Sequence, residues 1–333
     1  MTDSEAPTHL DPSALGTREY WDNLYTTELR NHADNPRDEG TVWFDDSDAE
    51  AKMVAFLEER VDGNDGEALH DGELVLDRDT ASVLDLGCGN GSMLFALRDE
   101  GWRGRLLGVD YSVLSVELAR RVGESRREGG AEEEEDDDGE DKGENEEGNG
   151  GRGDHETETE VEFKVWDVLN GPFSEVTTAT TTTTIPSSDT PQQPPITPPT
   201  QTQEPQPQPL PSWHIVLDKG TFDAISLSGE HDAQGRRVFE NYGARVLHLL
   251  RPGGLFLVTS CNWTEAELRD WFEVKTGVVG VGVPQGQGEE EEEGEKGYRL
   301  RLAGKVEYPS FRFGGVQGQT ISTLCFEKVR AEV

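Results

Sequence analysis

Cysteine, apolar residues and positive charge are all scarce in this chain, and each shortage removes a class of protein. The three cysteines, Cys88, Cys261 and Cys325, lie far apart without C-x-x-C spacing. That excludes a disulfide framework and a cysteine-based zinc site, and it points to a reducing compartment. No run of about 18 apolar residues is available to span a bilayer, and no basic segment followed by an apolar run opens the chain as a secretory leader would. Only 33% of the 333 residues are hydrophobic, so a large part of the chain is not expected to pack. Lys and Arg number 30 against 68 Asp and Glu, for a net charge of −38. Two runs, residues 132–147 and 289–296, hold 18 acids and two lysines, and the remainder still carries −22. Such a surface repels a phosphate backbone and suits a basic partner, so nucleic acid is not an expected ligand. The histidines, His214 and His248 included, show no partnered spacing, and no metal site is expected. These features describe a soluble, monomeric protein with no membrane partner, expected in the cytoplasm with the nucleus as a second compartment.

What is present is organised around Val83-Leu84-Asp85-Leu86-Gly87-Cys88-Gly89-Asn90-Gly91. A short apolar run stops in a glycine-rich turn and helical spacing begins at Ser92, which reads as strand, loop, helix. Glycines at alternate positions let the backbone turn sharply and approach a ligand closely. A second predicted strand, residues 105–109, ends in Asp110, where a carboxylate can accept both hydroxyls of an adenosine ribose. These features suit NAD or S-adenosylmethionine. The dinucleotide fingerprint spaces its glycines G-x-G-x-x-G to seat a pyrophosphate, whereas here they alternate and Asp85, just upstream, would repel that group. An ammonium and a sulfonium are better partners for such a carboxylate, so Asp85 favours S-adenosylmethionine.

With these residues the chain resembles the class I S-adenosylmethionine-dependent methyltransferases, whose first motif is matched by Asp85, Gly87, Gly89 and Gly91 and whose ribose acid is matched by Asp110. The resemblance implies an α/β fold with a doubly wound, mostly parallel, seven-stranded sheet. It narrows on Tyr20-Trp21-Asp22, on Trp43-Phe44 with Ser47-Asp48-Ala49-Glu50, on Asp218-Lys219-Gly220-Thr221-Phe222-Asp223-Ala224 and on Cys261-Asn262-Trp263-Thr264. These segments are similar to the eukaryotic Efm4-type family that methylates a lysine of translation elongation factor 1-alpha. The resemblance thus implies a protein-lysine N-methyltransferase with S-adenosylmethionine as cofactor and elongation factor 1-alpha as protein substrate. It also implies a cofactor-binding set of Trp21, Asp85, Gly87, Cys88, Gly89, Asp110, Tyr111, Asp167 and Val168.

Asp167, near the end of a predicted strand over 161–168, would touch the adenine amino group or serve as a turn former. Asp218, closing a predicted strand over 213–218, is the expected catalytic residue. Its carboxylate or its carbonyl would accept the amine's hydrogens and aim the lone pair, unless it only caps the following turn. Lys219 is expected to be structural, because a second cation beside a sulfonium is repelled. Trp21, Trp43 and Trp263 are candidates for an apolar wall around the cofactor or the lysine stem, or for core.

The expected organisation is a disordered tail, 1–15, followed by one methyltransferase domain over 16–328. Disordered insertions interrupt that domain at about 124–160, 177–211 and 277–297, because acidic, Gly-rich and Thr/Pro/Gln-rich stretches bury too little apolar surface to offset their ordering entropy. Ser47 with Glu50 and Thr264 with Glu267 have capping-box spacing and predict helix starts. The linker holding Trp43 and Phe44 either packs the first two helices together or closes over the ligand. Residues 299–308 and 319–328 predict a closing hairpin.

Two other function classes remain open at this level: a small-molecule or nucleic-acid methyltransferase, and a non-catalytic cofactor-binding scaffold. The Asn/Asp-Pro-Pro-aromatic loop that grips planar amino groups is replaced by Asp218-Lys219-Gly220-Thr221, which weakens the nucleic-acid reading. A scaffold could tolerate loss of Asp85 or Asp110, and both acids are present.

Overall fold

The computed structural model describes residues 9–62, 75–135, 160–177, 212–278, 297–309, 311–313, 316–318 and 320–331. The first eight residues of the expected tail, and most of the three expected insertions (136–159, 178–211 and 279–296), lie outside the described residues.

Two helices, α1 (Arg18–Asp34) and α2 (Ala49–Asp62), precede the sheet. Then follow β1 (Val83–Leu86), α3 (Ser92–Asp99), β2 (Leu106–Asp110), α4 (Val113–Glu135) and β3 (Glu162–Val165). The second half comprises β4 (Trp213–Lys219), α5 (Thr221–Ser226), α6 (Tyr242–Leu249), β5 (Leu250–Ser260), α7 (Glu265–Arg269) and β6 (Tyr298–Val306). A small hairpin of β7 (Phe311–Phe313) and β8 (Val316–Gly318) leads into β9 (Ser322–Arg330). The main sheet has seven strands in the order β3-β2-β1-β4-β5-β9-β6, with β9 antiparallel to both its neighbours and the other pairings parallel. This is the doubly wound sheet that the motif order predicts.

The central strands are apolar over most of their length, with Asp85, Asp110 and Asp218 toward their carboxyl ends, because both faces are covered, the usual pattern of parallel strands. Leu84, Leu86, Val216 and Phe256 face one core, shared with Tyr242, Val246 and Phe272. Val83, Ile215, Leu217 and Leu257 face the other, shared with Met53, Leu57, Leu94 and Val116. Strand β1 pairs with β2 on one side and β4 on the other, so the chain reverses its direction of travel across the sheet between β1 and β4. In-register pairing of Leu86 with both Val109 and Asp218, and of Asp110 with Val165, brings the carboxyl ends of four strands to one edge. A crevice opens at such a reversal because the helices that follow the two strands leave toward opposite faces.

Three expectations are corrected. The tail does not extend to residue 15 as a free segment: Leu10 packs on the core, Ser13 N–H donates to the Leu227 carbonyl at 3.1 Å, and residues 14–16 form a 3-10 turn. A Cβ on Gly16 would lie 2.2 Å from the Leu227 carbonyl carbon, so glycine is what lets the two backbones touch. The first insertion does not begin at 124 either, since α4 continues to Glu135. Arg126 holds it there, pairing with Glu39 at 2.8 Å and Asp99 at 3.1 Å above the ring of Phe95.

The third correction concerns the Ser47–Glu50 box: the helix it predicts does start there, at Ala49, but its capping bonds are not among those observed. The Ser47 hydroxyl donates to Asp46, and the Glu50 carboxylate turns instead to Lys219 at 3.2 Å and to the Ser92 hydroxyl. A half-buried cation outcompetes a backbone amide for a carboxylate, as charge-assisted bonds do. The Thr264–Glu267 box does form.

Candidate active site

One cleft at the reversal is lined by all nine residues of the expected cofactor set: Trp21, Asp85, Gly87, Cys88, Gly89, Asp110, Tyr111, Asp167 and Val168. Its floor is built from strand ends. Asp85 is the third residue of β1 and buried, and burial pushes its carboxyl up to about 8 even with the Lys219 ammonium nearby. Asp110 ends β2, accepting from Ser112 N–H at 2.8 Å and from the Ser115 hydroxyl at 2.9 Å, one on each oxygen. The same burial raises its carboxyl, while Arg18 partly opposes the shift. Each oxygen keeps a lone pair for a further donor.

Between them the glycine loop runs with φ of +67° at Gly87 and +57° at Gly89, a conformation that side chains resist. Space is also short at Gly87: a Cβ there would sit 2.1 Å from the Thr221 hydroxyl, which donates to the Leu86 carbonyl at 2.6 Å. The two loops that flank the crevice are thereby bolted together.

The roof comes from the N-terminal segments. Leu15 and Gly16 line the cleft, and the Leu15 carbonyl accepts from the Trp21 indole at 2.7 Å. Trp21 stacks toward Tyr25 (6.3 Å between rings) and toward Trp43 (5.4 Å), and Trp43 and Phe44 also face the cleft. Arg18 lies 4.4 Å over the Tyr111 ring and donates to the Tyr111 carbonyl at 3.1 Å. Phe44 has φ +65°, uncommon for an aromatic residue, and its ring lies against Gly220, where a Cβ would come within 3.2 Å of it. The linker is therefore part of the pocket as well as packing. Lys219 is structural in its contacts: it pairs with Glu50 and donates to the Trp43 carbonyl at 3.1 Å, tying the roof to the end of β4.

Asp167 lines the cleft half-buried and forms a turn at the same time, accepting from Leu169 N–H at 2.8 Å and from the Asn170 amide at 3.0 Å. Asp218 is placed differently from the catalytic expectation. It is fully buried, is not among the lining residues, and spends its carboxyl on Thr221 N–H at 2.8 Å, Phe222 N–H at 3.0 Å and the Tyr242 hydroxyl. Capping a helix that starts in the core takes the side chain away from the cleft; its carboxyl is pushed up to about 7 by burial against these bonds. Trp263 is core, its indole donating to the Ser226 hydroxyl at 3.1 Å. Sequence reasoning missed Leu15, Arg18, Tyr25 and Asp223 as cleft residues. For Asp223 the signal was present, an acid one turn into the helix after β4, but it lay inside a motif read for Asp218.

This lining fits S-adenosylmethionine. Two buried carboxyls suit a cationic end and a diol, Asp167 and the aromatic rings suit a planar base, and the acids disfavour a pyrophosphate. Asp85 in particular is a buried acid whose ionised form needs a positive ligand beside it.

Residues 77–132 match the family described as "Methyltransferase domain". The chain is 31% identical over 319 residues to protein-lysine N-methyltransferase EFM4 of Saccharomyces cerevisiae, covering 96% of each. It is 30% identical over 323 residues to the Schizosaccharomyces pombe protein of the same name, covering 96% of this chain and 95% of that one. To the human EEF1A lysine methyltransferase 2 it is 27% identical over 318 residues, covering 96% and 88%. A match of that length spans roof and floor together, and it shows that the chain belongs to the Efm4-type family of S-adenosylmethionine-dependent protein-lysine N-methyltransferases.

Proposed function

We propose that this protein transfers a methyl group from S-adenosylmethionine to a lysine of translation elongation factor 1-alpha. The observation that carries the reading is the end-to-end match, over 96% of both chains, to relatives named for lysine methylation. When bound, the cofactor supplies an electrophilic methyl carbon on a positively charged sulfur. The chain's own residues supply orientation. Asp85 holds the cationic end, Asp110 accepts from the ribose hydroxyls, and Asp167 with Val168 frames the adenine. Trp21 and Tyr111 add aromatic contact, and the Gly87–Gly89 backbone leaves room for close approach. Trp21, Trp43 and Phe44 exclude water from the reacting end, where positioning accounts for most of the acceleration in a direct transfer.

An acidic surface suits a basic face on the protein substrate. We place the protein in the cytoplasm as a monomer, with its substrate. The test is incubation of the purified protein with labelled S-adenosylmethionine and a cell lysate, followed by mass spectrometry. Labelled lysine in elongation factor 1-alpha is the expected result; label confined to RNA or metabolites overturns the reading.

A further inference from the structure

Four buried aspartates surround the crevice, and three have an evident partner. Asp85 lies near Lys219 and is proposed for the cofactor's cationic end, Asp110 accepts from Ser112 and Ser115 and is proposed for the ribose, and Asp218 is spent on α5 and Tyr242. The fourth, Asp223, is only 5% exposed yet lines the cleft, on the side formed by β4, α5 and the turn after β5. It accepts from the Ser260 hydroxyl through Oδ1 and from Cys261 N–H at 2.8 Å through Oδ2, with the Cys261 thiol and Asn262 N–H as further donors, all of them neutral groups. Among the described residues no lysine or arginine pairs with it. The titratable groups around it are the Asp218 carboxyl and the Cys261 thiol, and its charge holds back the ionisation of both. Lys219, which also lines the cleft, is committed to Glu50 and the Trp43 carbonyl. A buried carboxyl that opens onto a cleft without a cation of its own is suited to receive one from outside.

We infer that Asp223 is the residue that receives the substrate lysine, accepting its ammonium by hydrogen bond and taking one proton from it before transfer. The inference rests on the reading of the protein as a lysine methyltransferase. Burial holds the Asp223 carboxyl above the ordinary carboxylate range, so in a water-poor cleft the amine–carboxylic acid pair competes with the ammonium–carboxylate pair. The proton moves from Nζ to an Asp223 oxygen. The freed nitrogen lone pair then forms the new N–C bond while the C–S bond breaks with its electrons staying on sulfur. The product leaves as a methylated ammonium, and Asp223 returns its proton to solvent. Asn262 and the Cys261 backbone, at the end of β5, form the neighbouring wall.

The test uses the full chain with labelled S-adenosylmethionine, purified elongation factor 1-alpha and, separately, a lysate. Asp223→Asn keeps the shape and an acceptor for Cys261 N–H. It should bind S-adenosylmethionine within about threefold of wild type by calorimetry, and lower kcat at pH 7 by about 100-fold, the scale of a lost general base. The deficit should shrink as pH rises from 7 to 10, because solvent then deprotonates the lysine directly. Ser260→Ala removes a loop contact but retains the carboxylate, and should stay within about fivefold of wild type. Full activity of Asp223→Asn overturns the inference. So does a deficit that is independent of pH and shared equally by Ser260→Ala, since that pattern belongs to a loop that has lost its support. If wild type labels lysines in other lysate proteins and not in elongation factor 1-alpha, the substrate reading fails and Asp223 is judged on those proteins. No labelled protein lysine at all overturns both.

Discussion

The floor and the roof of the cleft are built on different physical grounds. The carboxyls of the floor, Asp85, Asp110 and Asp167, lie within two residues of a strand end, where the register of β1, β2 and β3 sets their position, and those of Asp85 and Asp110 are buried. The roof, from Leu15 through Phe44, is carried by one helix and two connecting segments. Its attachments are side-chain and loop bonds across the chain, such as Ser13 to Leu227, Arg18 to the Tyr111 carbonyl, Ser112 to Asp22, Arg126 to Glu39 and Lys219 to Trp43. Its aromatic rings are half-buried, and no sheet register fixes them. Charge recognition is thus assigned to the rigid part, and shape and water exclusion to the part that is cheaper to move. Substitutions in the floor should therefore change cofactor affinity and pH dependence sharply, while substitutions in the roof should act more weakly.

The largest expected effect is on the pH dependence of stability. Asp85 and Asp218 have folded values of about 8 and about 7, far above their ordinary 3.8. Between about pH 4 and those values the folded chain holds protons that the unfolded chain releases. Stability therefore falls as pH rises through this window, on the order of 1 kcal/mol per pH unit per group. The cofactor-free protein should melt higher at pH 5 than at pH 8 at fixed ionic strength, and Asp85→Asn should flatten its share of the slope. Adding S-adenosylmethionine should raise the midpoint more at pH 8, where a cation meets an ionised carboxylate. An Asp85→Asn variant with an unchanged slope would remove the buried acid from the account of the floor.

Next in size is Asp110→Ala. It deletes the acceptor proposed for the ribose hydroxyls and takes a partner from the Ser112 amide, while the Ser115 hydroxyl keeps the Gly89 carbonyl at 2.9 Å. A loss of about 3 kcal/mol, or about 100-fold in cofactor Kd by calorimetry, is expected from hydrogen bonds to a charged group. Unaltered affinity would mean that the ribose lies elsewhere.

The floor was legible in the residues because its signals are local. Alternating glycines, an acid two residues upstream and an acid at the next strand end are each readable within about ten residues, and the sheet then assembles them. The roof depends on contacts that no local pattern announces. Leu10 and Leu15 look like tail, and contacts to residues more than 200 positions away, Leu227, Arg237, Phe239 and Glu240, hold that segment in place. The continuation of α4 past residue 124 was hidden for the same reason, since Arg126 finds its acids on other elements. Asp218 and Asp223 share one short motif, in which the sequence reading singles out Asp218 alone. Which one opens onto the cleft depends on the direction of α5, and that is set by packing of Phe222 against Tyr242 and Phe272 in the core.

Trp21→Ala tests the roof. It removes an indole bond to the Leu15 carbonyl and ring contacts to Tyr20, Tyr25 and Trp43. A loss of about 1.5 kcal/mol, or roughly tenfold in cofactor affinity, is expected from one hydrogen bond and part of an aromatic cluster. A loss equal to that of Asp110→Ala would erase the distinction between the two regions. Thermal stability should fall little, because the ring is only half-buried.

The smallest effect is expected at Asp167, and it separates two strand-end acids that look alike in the sequence. Asp110 is buried, whereas Asp167 is half-buried and its oxygens already accept from Leu169 N–H and the Asn170 amide. Asp167→Asn keeps one amide oxygen, for the Leu169 turn bond or for the adenine amine, and sets an amide donor beside the Asn170 side chain, so one charged acceptor is lost. At a half-exposed site, where solvent screens the lost charge, the change in cofactor Kd should stay within about threefold. Asp110→Asn, by contrast, leaves one neutral oxygen for two hydroxyls and places an amide donor beside Ser112 N–H or the ribose, so it should cost at least about tenfold. Equal losses for the two asparagine variants would show that burial of the carboxyl, and not its place at a strand end, has been misjudged as what grades these sites.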